Sequence, residues 1–407
     1  MNPILDQTIP SKNRREIQLL LLCARRSLEP ESVKQIRLLS TEDIDWDCLV
    51  NKACAHKLQF LLYRCLKSAC SESLNHPALV QLDRLYLRNV AYSLRITRQF
   101  FEIMDLLGDH GIQAMPFKGP VLSELAYGDH TLRPIGDLDL LVDRQKAFRS
   151  LELLIDQGFR TELALDFEQF WAYSAKKNGM ALYHPGSDLT LDLHWEMTGN
   201  YAFEPLVLSR MSLDMFQMDL AGRTLPQPCL ETLLIYLCLC GTRDCWKDLE
   251  SVSAVSGLIA GHHNWDWLKV QRIADLLSCR RMASLGLLLA FHLFDSNLPS
   301  TVLNTAADDP IVSNLASEVC QYLLAADESE AVANRKSKFS TFHIRARDRW
   351  PEKLRYCKHL LLNATDQEWR SFPLPAGLSF LHTLLRPLRL SMTFLSRTIG
   401  HKGPGIR

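Results

Sequence analysis

Two aspartates, Asp137 and Asp139, stand one residue apart in the run Asp137-Leu138-Asp139-Leu140-Leu141-Val142. The run alternates and then becomes fully apolar, the pattern of a strand entering a buried sheet. Residues i and i+2 of a strand share a face, so this spacing predicts the two carboxylates side by side, with Leu138 and Leu140 opposite. Carboxylates held that close repel unless a cation or a proton sits between them. Oxygen ligands of this kind suit Mg²⁺, above all where substrate phosphates complete the octahedron. A half-exposed strand with an acidic outer face has the same short pattern, so the surroundings must decide between the two.

The surroundings are chemical. Gln113 to Phe117 reads as a short strand, followed at once by Lys118-Gly119-Pro120 and a helical stretch to Tyr127. Gly119 permits a tight turn and close backbone approach to a ligand. Pro120 suits the first helical position, and the helix N-terminus behind it is a natural phosphate site. Lys118 adds a point charge suited to a triphosphate. Downstream, Leu189-Thr190-Leu191-Asp192-Leu193-His194-Trp195 is a second alternation that can bring a third carboxylate beside the first two. Asp192 and His194 share one face there, and Glu196 continues it. His194 either orients a ligand or substrate, or caps the polar face of the strand.

This constellation resembles the nucleotidyltransferase superfamily, whose members resemble DNA polymerase beta in their catalytic core. That pattern has a glycine-containing turn, a helix, an Asp-x-Asp strand and a later strand bearing one more acid. More narrowly, the chain resembles the family of uncharacterised nucleotidyltransferases often found in bacterial peptide-modification gene clusters. The matching stretches, KG…Y…R…DLDLLV and LDLHW, carry Lys118, Gly119, Tyr127, Arg133, Asp137, Asp139, Asp192, His194 and Trp195. The resemblance implies transfer of a nucleoside monophosphate from an NTP to a hydroxyl of a small-molecule or peptide acceptor. It implies two Mg²⁺ ions on Asp137, Asp139 and Asp192, with Lys118, Gly119 and Arg133 on the nucleotide. His194 and Glu196 would support the ligands.

Two departures stand out. The superfamily's Gly-Ser or Gly-Gly turn is Lys-Gly here, with a longer spacing to the Asp pair. The family's His-Gly…Lys-His-x-Trp pattern, with an Asp in the next turns, is Cys240-Gly241-Thr242-Arg243-Asp244-Cys245-Trp246, with Ala254 at the Asp position. A non-catalytic peptide- or partner-binding module on the same fold, or a phosphotransferase, are the rival expectations.

The elements that must position these residues imply an α+β fold, a small mixed sheet flanked by two helical regions. At 407 residues several domains are expected: 1–107 helical, 108–222 the α/β core, 223–407 helical. Forty-six basic and forty-six acidic residues cancel, which argues against a polymerase on long nucleic acid. The first sixteen residues lack a signal-peptide core, and the apolar runs Leu19–Cys23 and Leu287–Phe294 are too short to span a bilayer. Twelve scattered cysteines fit reduced thiols and a cytoplasmic setting. Cys238, Cys240 and Cys245 lack a paired zinc half-site, so buried free thiols are expected there.

Residues 15–107 read as successive helices, the last running from Leu79 to Leu107, and His56 reads as a core or boundary histidine. Arg144 to Gln157 is amphipathic, with Phe148, Leu151, Leu154 and Ile155 on one face. Phe159 to Leu163 reads as a strand, and Met180–His184 with Leu189–Met197 as a hairpin. The chain turns helical again from Leu230. Asp327 to Lys338 is polar and reads as a loop. The tail from Phe380, with five Arg or Lys and no acids, is expected to pack on the helical region, interrupted by Pro387.

Overall fold

Asp45 accepts a hydrogen bond from the Cys48 N–H at 2.9 Å, and Pro30 and Pro77 sit at first helical positions, so the opening third of the chain divides into helices. These are α1 (Arg14–Cys23), α2 (Pro30–Thr41), α3 (Trp46–Ala55), α4 (Gln59–Cys70) and α5 (Pro77–Asp109). The structure is a computed structural model that describes residues 9–10, 13–70, 76–187, 189–199, 206–207, 214–325 and 341–400, excepting the side chains of 390 and 392–400.

The sheet follows: β1 (Ala114–Pro116), α6 (Pro120–Tyr127), β2 (Leu138–Val142), α7 (Arg144–Asp156), α8 (Phe167–Ser174), β3 (Gly179–His184) and β4 (Leu189–His194). A hairpin of β5 (Met215–Leu220) and β6 (Arg223–Pro228) leads into the second helical region. That region contains α9 (Leu230–Arg243), α10 (Leu249–Gly261), α11 (Trp267–Leu276), α12 (Arg280–Phe294), α13 (Ser300–Ala307) and α14 (Pro310–Leu323). It ends with α15 (Thr341–Arg345), α16 (Trp350–Leu362), α17 (Asp366–Ser371) and α18 (Leu381–Gly400).

The strand order is β1-β2-β4-β3, with β2 and β4 parallel and the other pairs antiparallel, so the α+β expectation holds. All five residues of the inner strand β2 are buried, as its almost continuous apolar run requires, while β3 and β4 keep partly exposed alternate positions. Leu138, Leu140 and Val142 face Phe100 and Leu107 of α5 and Leu151 and Leu154 of α7. Leu141 turns the other way, into a core that holds Met115, Phe117 and Tyr236 and extends through both helical regions. Asp139 shares the face of Leu141.

The helix behind Gly119 is braced at both ends. Gly128, at φ 70°, closes α6 in the left-handed conformation that glycine tolerates. Arg26 donates to the Leu125 carbonyl, and Arg64 to the Tyr127 carbonyl at 3.2 Å, so cations satisfy orphan acceptors at the negative end of α6. Along its side, α10 approaches so closely that a Cβ on Gly257 would lie 2.5 Å from the Ala126 carbonyl oxygen.

Three local expectations are corrected. Phe159–Leu163 is not a strand: Arg160 makes only an isolated bridge to Tyr183, and the chain then turns into the capping box of Asp166 and Gln169. On α7, Leu153 is buried and Ile155 is 45% exposed, because the helix presents a face centred one position earlier. Helix α18 runs through Pro387 rather than breaking there, its flanking Arg386 and Arg389 both bonded to the buried Glu368 of α17. The Thr365 hydroxyl and Arg389 outweigh burial and hold the Glu368 carboxyl down to about 2. The polar stretch Asp327–Lys338 lies outside the described residues. His56 is buried at a boundary, its carbonyl accepting from the Glu250 N–H at 3.2 Å at the start of α10. None of the twelve cysteines forms a disulfide. Among the described residues no helix is long and apolar enough to cross a membrane.

The α6–α10 contact is testable by volume. Gly257→Ala should destabilise by about 1–3 kcal/mol, since backbone must yield. Gly108→Ala in α5 meets nothing within 4 Å and should be neutral or stabilise by up to about 1 kcal/mol. Paired thermal melts that give both variants the same shift would contradict the close approach.

Candidate active site

Parallel pairing of β2 with β4 sets Asp139 directly opposite Asp192, and Leu141 opposite His194. Paired residues of neighbouring strands present their side chains on one face, so Asp139, Asp192 and His194 converge. Each offers one donor atom, and the three atoms lie within 4.8 Å of one another. The expectation that Asp192 joins the first carboxylates on one face of the sheet therefore holds for Asp139.

Asp139 is 3% exposed. Its Oδ1 accepts from Lys118 Nζ at 2.8 Å and lies 3.1 Å from His194 Nε2. Its Oδ2 is buried and has no hydrogen-bond partner among the described residues. Burial opposes ionisation, yet Lys118 and His194 outweigh it and keep the Asp139 carboxyl well below the usual carboxylate range. Asp192 goes the other way. Burial raises its pKa, and the charges of Asp139 and Asp137 add to that while His194 opposes it.

Asp137 lies at the entry of the strand, near enough for its charge to act on Asp192. Strand β2 begins at Leu138, so Asp137 precedes it and is exposed, outside the converging donor atoms. Its carbonyl packs 3.6 Å from the Cβ direction of Gly119, which draws the strand's entry against the turn.

Gly119 has φ 56° and ψ −128°, open essentially to glycine alone, and immediately precedes Pro120 at the start of α6. Lys118 is thereby aimed across the face of β2. Its Nζ lies 5.6 Å from the ring centroids of both Phe117 and Tyr236, which meet edge to face at 5.5 Å. Burial works against the ammonium, but Tyr236 and Asp139 dominate and hold its pKa well above the ordinary lysine value. Arg133 is tied by its Nε to Glu250 Oε1 at 2.6 Å, and the Tyr127 hydroxyl reaches the same oxygen at 3.4 Å and Ser253 Oγ at 3.2 Å. Glu196 lies past the end of β4 and outside the donor cluster; burial raises its pKa and Arg144 opposes the rise. His194 Nδ1 is buried without a partner among the described residues and lies toward Gly179, where an added Cβ would sit 2.7 Å away.

Tyr236 and Glu250 belong to this neighbourhood, yet the sequence marks neither. Tyr236 is one apolar residue among many on α9, and Glu250 looks like an ordinary first-turn acid of α10. Their partners lie more than a hundred residues upstream.

Two carboxylates and a buried acceptor without a donor fit a divalent cation, which favours oxygen ligands. Among the described residues no cysteine joins a comparable cluster. A family described as "uncharacterised nucleotidyltransferase" matches residues 42–295. No curated protein matches the chain.

The raised pKa of Asp192 has a stability consequence. A carboxyl with a raised folded pKa contributes stability below its unfolded pKa and loses it as pH rises through the folded one. Without divalent cation, Asp192→Asn should therefore melt about 1–3 °C above the parent near neutral pH. The gap should close as pH falls into the ordinary carboxylate range. A variant that melts lower near neutrality would contradict the electrostatic picture.

Proposed function

The chain belongs to the uncharacterised nucleotidyltransferase family, and we propose that it moves a nucleoside monophosphate from an NTP to a hydroxyl of a small-molecule or peptide acceptor, releasing pyrophosphate, with Mg²⁺ as cofactor. The observation that supports this most is the register of β2 against β4, which pairs Asp139 with Asp192 beside the Gly119 turn. A bound divalent cation supplies charge neutralisation on the phosphates and a lowered pKa for the attacking hydroxyl.

The residues divide the work. Asp139 and Asp192 would hold the cation beside the acceptor hydroxyl, where a cation would offset the burial that disfavours the charge of Asp192, and Asp139 would also reach the cation on the triphosphate. Asp137, exposed at the mouth of the strand, is the candidate to join it there. The first turn of α6 offers amides to phosphate oxygens, and Lys118 and Arg133 neutralise their charge. His194 keeps Asp139 oriented through its Nε2 contact. Phosphoryl transfer would use the same groups, and the product, nucleoside diphosphate in place of pyrophosphate, separates it.

Calorimetric titration with Mg²⁺ and each of ATP, GTP, CTP and UTP should reveal binding of at least one. Asp139→Asn should abolish that binding with native circular dichroism retained. Asp192→Asn should keep it within a few-fold, while turnover on an identified acceptor falls by roughly 10² or more, as when one part of a charge-stabilising site is lost. Nucleotide binding that neither needs Mg²⁺ nor changes in Asp139→Asn would sink the assignment, and no binding at all would favour a non-catalytic module.

A further inference from the structure

Asp139 is a buried carboxylate that would be prohibitively costly to leave uncompensated. In the structure the compensating charge is Lys118, whose Nζ occupies Oδ1 at 2.8 Å. The other oxygen, Oδ2, is buried and unpartnered among the described residues. An ammonium and a divalent cation drawn to one carboxylate repel each other strongly, because both charges sit in the same poorly solvated pocket. Tight cation binding at Asp139 is thus opposed while Lys118 remains.

Lys118 also has somewhere to go. Its side chain is 20% exposed against 2% for Asp139, so it lies on the solvent side of the carboxylate. It adjoins Gly119, and hence the N-terminus of α6, where phosphate is favoured. The rings of Phe117 and Tyr236 flank the ammonium without binding it to a second anion. Its flexible four-carbon stem gives the ammonium a route from Asp139 toward the helix start by rotation.

On the reading of the site as a nucleotidyltransferase centre, we propose that Lys118 is the resident counter-ion of the cation site. It neutralises Asp139 in the ligand-free chain, resists a cation arriving alone, and moves to the triphosphate as cation and nucleotide enter together. Lys118 is then both a nucleotide contact and the element that couples the two ligands. No bond is made or broken in the exchange; the cation enters at the open Oδ2 and takes over from Lys118 the charge balance of Asp139.

Mn²⁺ binding to the full chain, followed by electron paramagnetic resonance and calorimetry without nucleotide, tests this without needing an acceptor. Lys118→Met keeps the apolar stem and removes the charge, and should bind Mn²⁺ alone about tenfold or more tighter than the parent. Lys118→Arg keeps the charge and should bind Mn²⁺ alone as weakly as the parent. With an α,β-methylene NTP analogue present, Lys118→Met should lose affinity for the analogue. Lys118→Gln carries the same comparison if Lys118→Met does not fold. Equal Mn²⁺ affinity in the parent and the neutral variants, or weaker affinity in the latter, overturns the counter-ion role while leaving the transferase reading intact. A parent chain that binds neither Mn²⁺ nor the Mn²⁺–analogue complex overturns both.

Discussion

A carboxylate buried in the middle of a sheet is the constraint from which much of this structure follows. Strand β2 is covered on both faces, so an ionised Asp139 within it must be met by donors and positive charge or it would not remain ionised. Lys118 and His194 meet it, one from the turn after β1 and one from β4. Each in turn needs an enclosure. Phe117 contacts His194 and Tyr236 edge to face, so the same ring links the lysine's flank to the histidine. A site with this polarity therefore needs a helix carrying Tyr236 pressed against the sheet, and α9 supplies it.

The helical regions are best understood as the remainder of that enclosure. The end of α6 is secured by the N-terminal region, through Arg26 and Arg64 on its last carbonyls. From the other side α10 contributes Gly257 against Ala126 and Glu250 against Arg133 and Tyr127. The Glu250–Arg133 pair is nearly desolvated on the acid's side and fixes the segment between α6 and β2, which also carries Asp137 toward the turn. Helices from both ends of the chain thus converge on one eight-residue helix, consistent with a hydrophobic core that runs through both regions.

How much of this was legible in the sequence follows from the range of the interactions. Alternation is a local signal, so the Asp139 and Asp192 strands, the hairpin and the Gly119–Pro120 helix start could all be read directly. Which strands are neighbours could not, and Asp192 beside Asp139 was an expectation until the parallel register appeared. Alternation does not say where a strand begins, and here the ladder begins at Leu138, just after Asp137. Phe159–Leu163 failed because an apolar-flanked segment paired through a single bridge has the same composition as a strand. Tyr236 and Glu250 were invisible because only tertiary contact distinguishes them from ordinary helix residues.

The altered segment at the end of α9 illustrates how a departure from a family pattern acquires physical meaning. Read from sequence, loss of the histidines around Gly241 and of the later Asp suggested a weakened site. In the fold, Gly241 is held by packing: an added Cβ would fall 2.5 Å from the Trp246 ring, which is fully buried. Gly286 of α12 meets the same indole, so the glycine and tryptophan form a steric unit that seats α9 against its neighbours. Ala254 is buried at 2% exposure, where an unpaired carboxylate would be costly. Four residues earlier, one turn away on the same face of α10, Glu250 supplies a carboxylate that is paired with Arg133. The retained glycine and tryptophan thus preserve the placement of Tyr236 behind Lys118. An acid on α10 still reaches the segment between α6 and β2. The substitutions leave the buried Asp139 carboxylate in place with Lys118 and His194 on it.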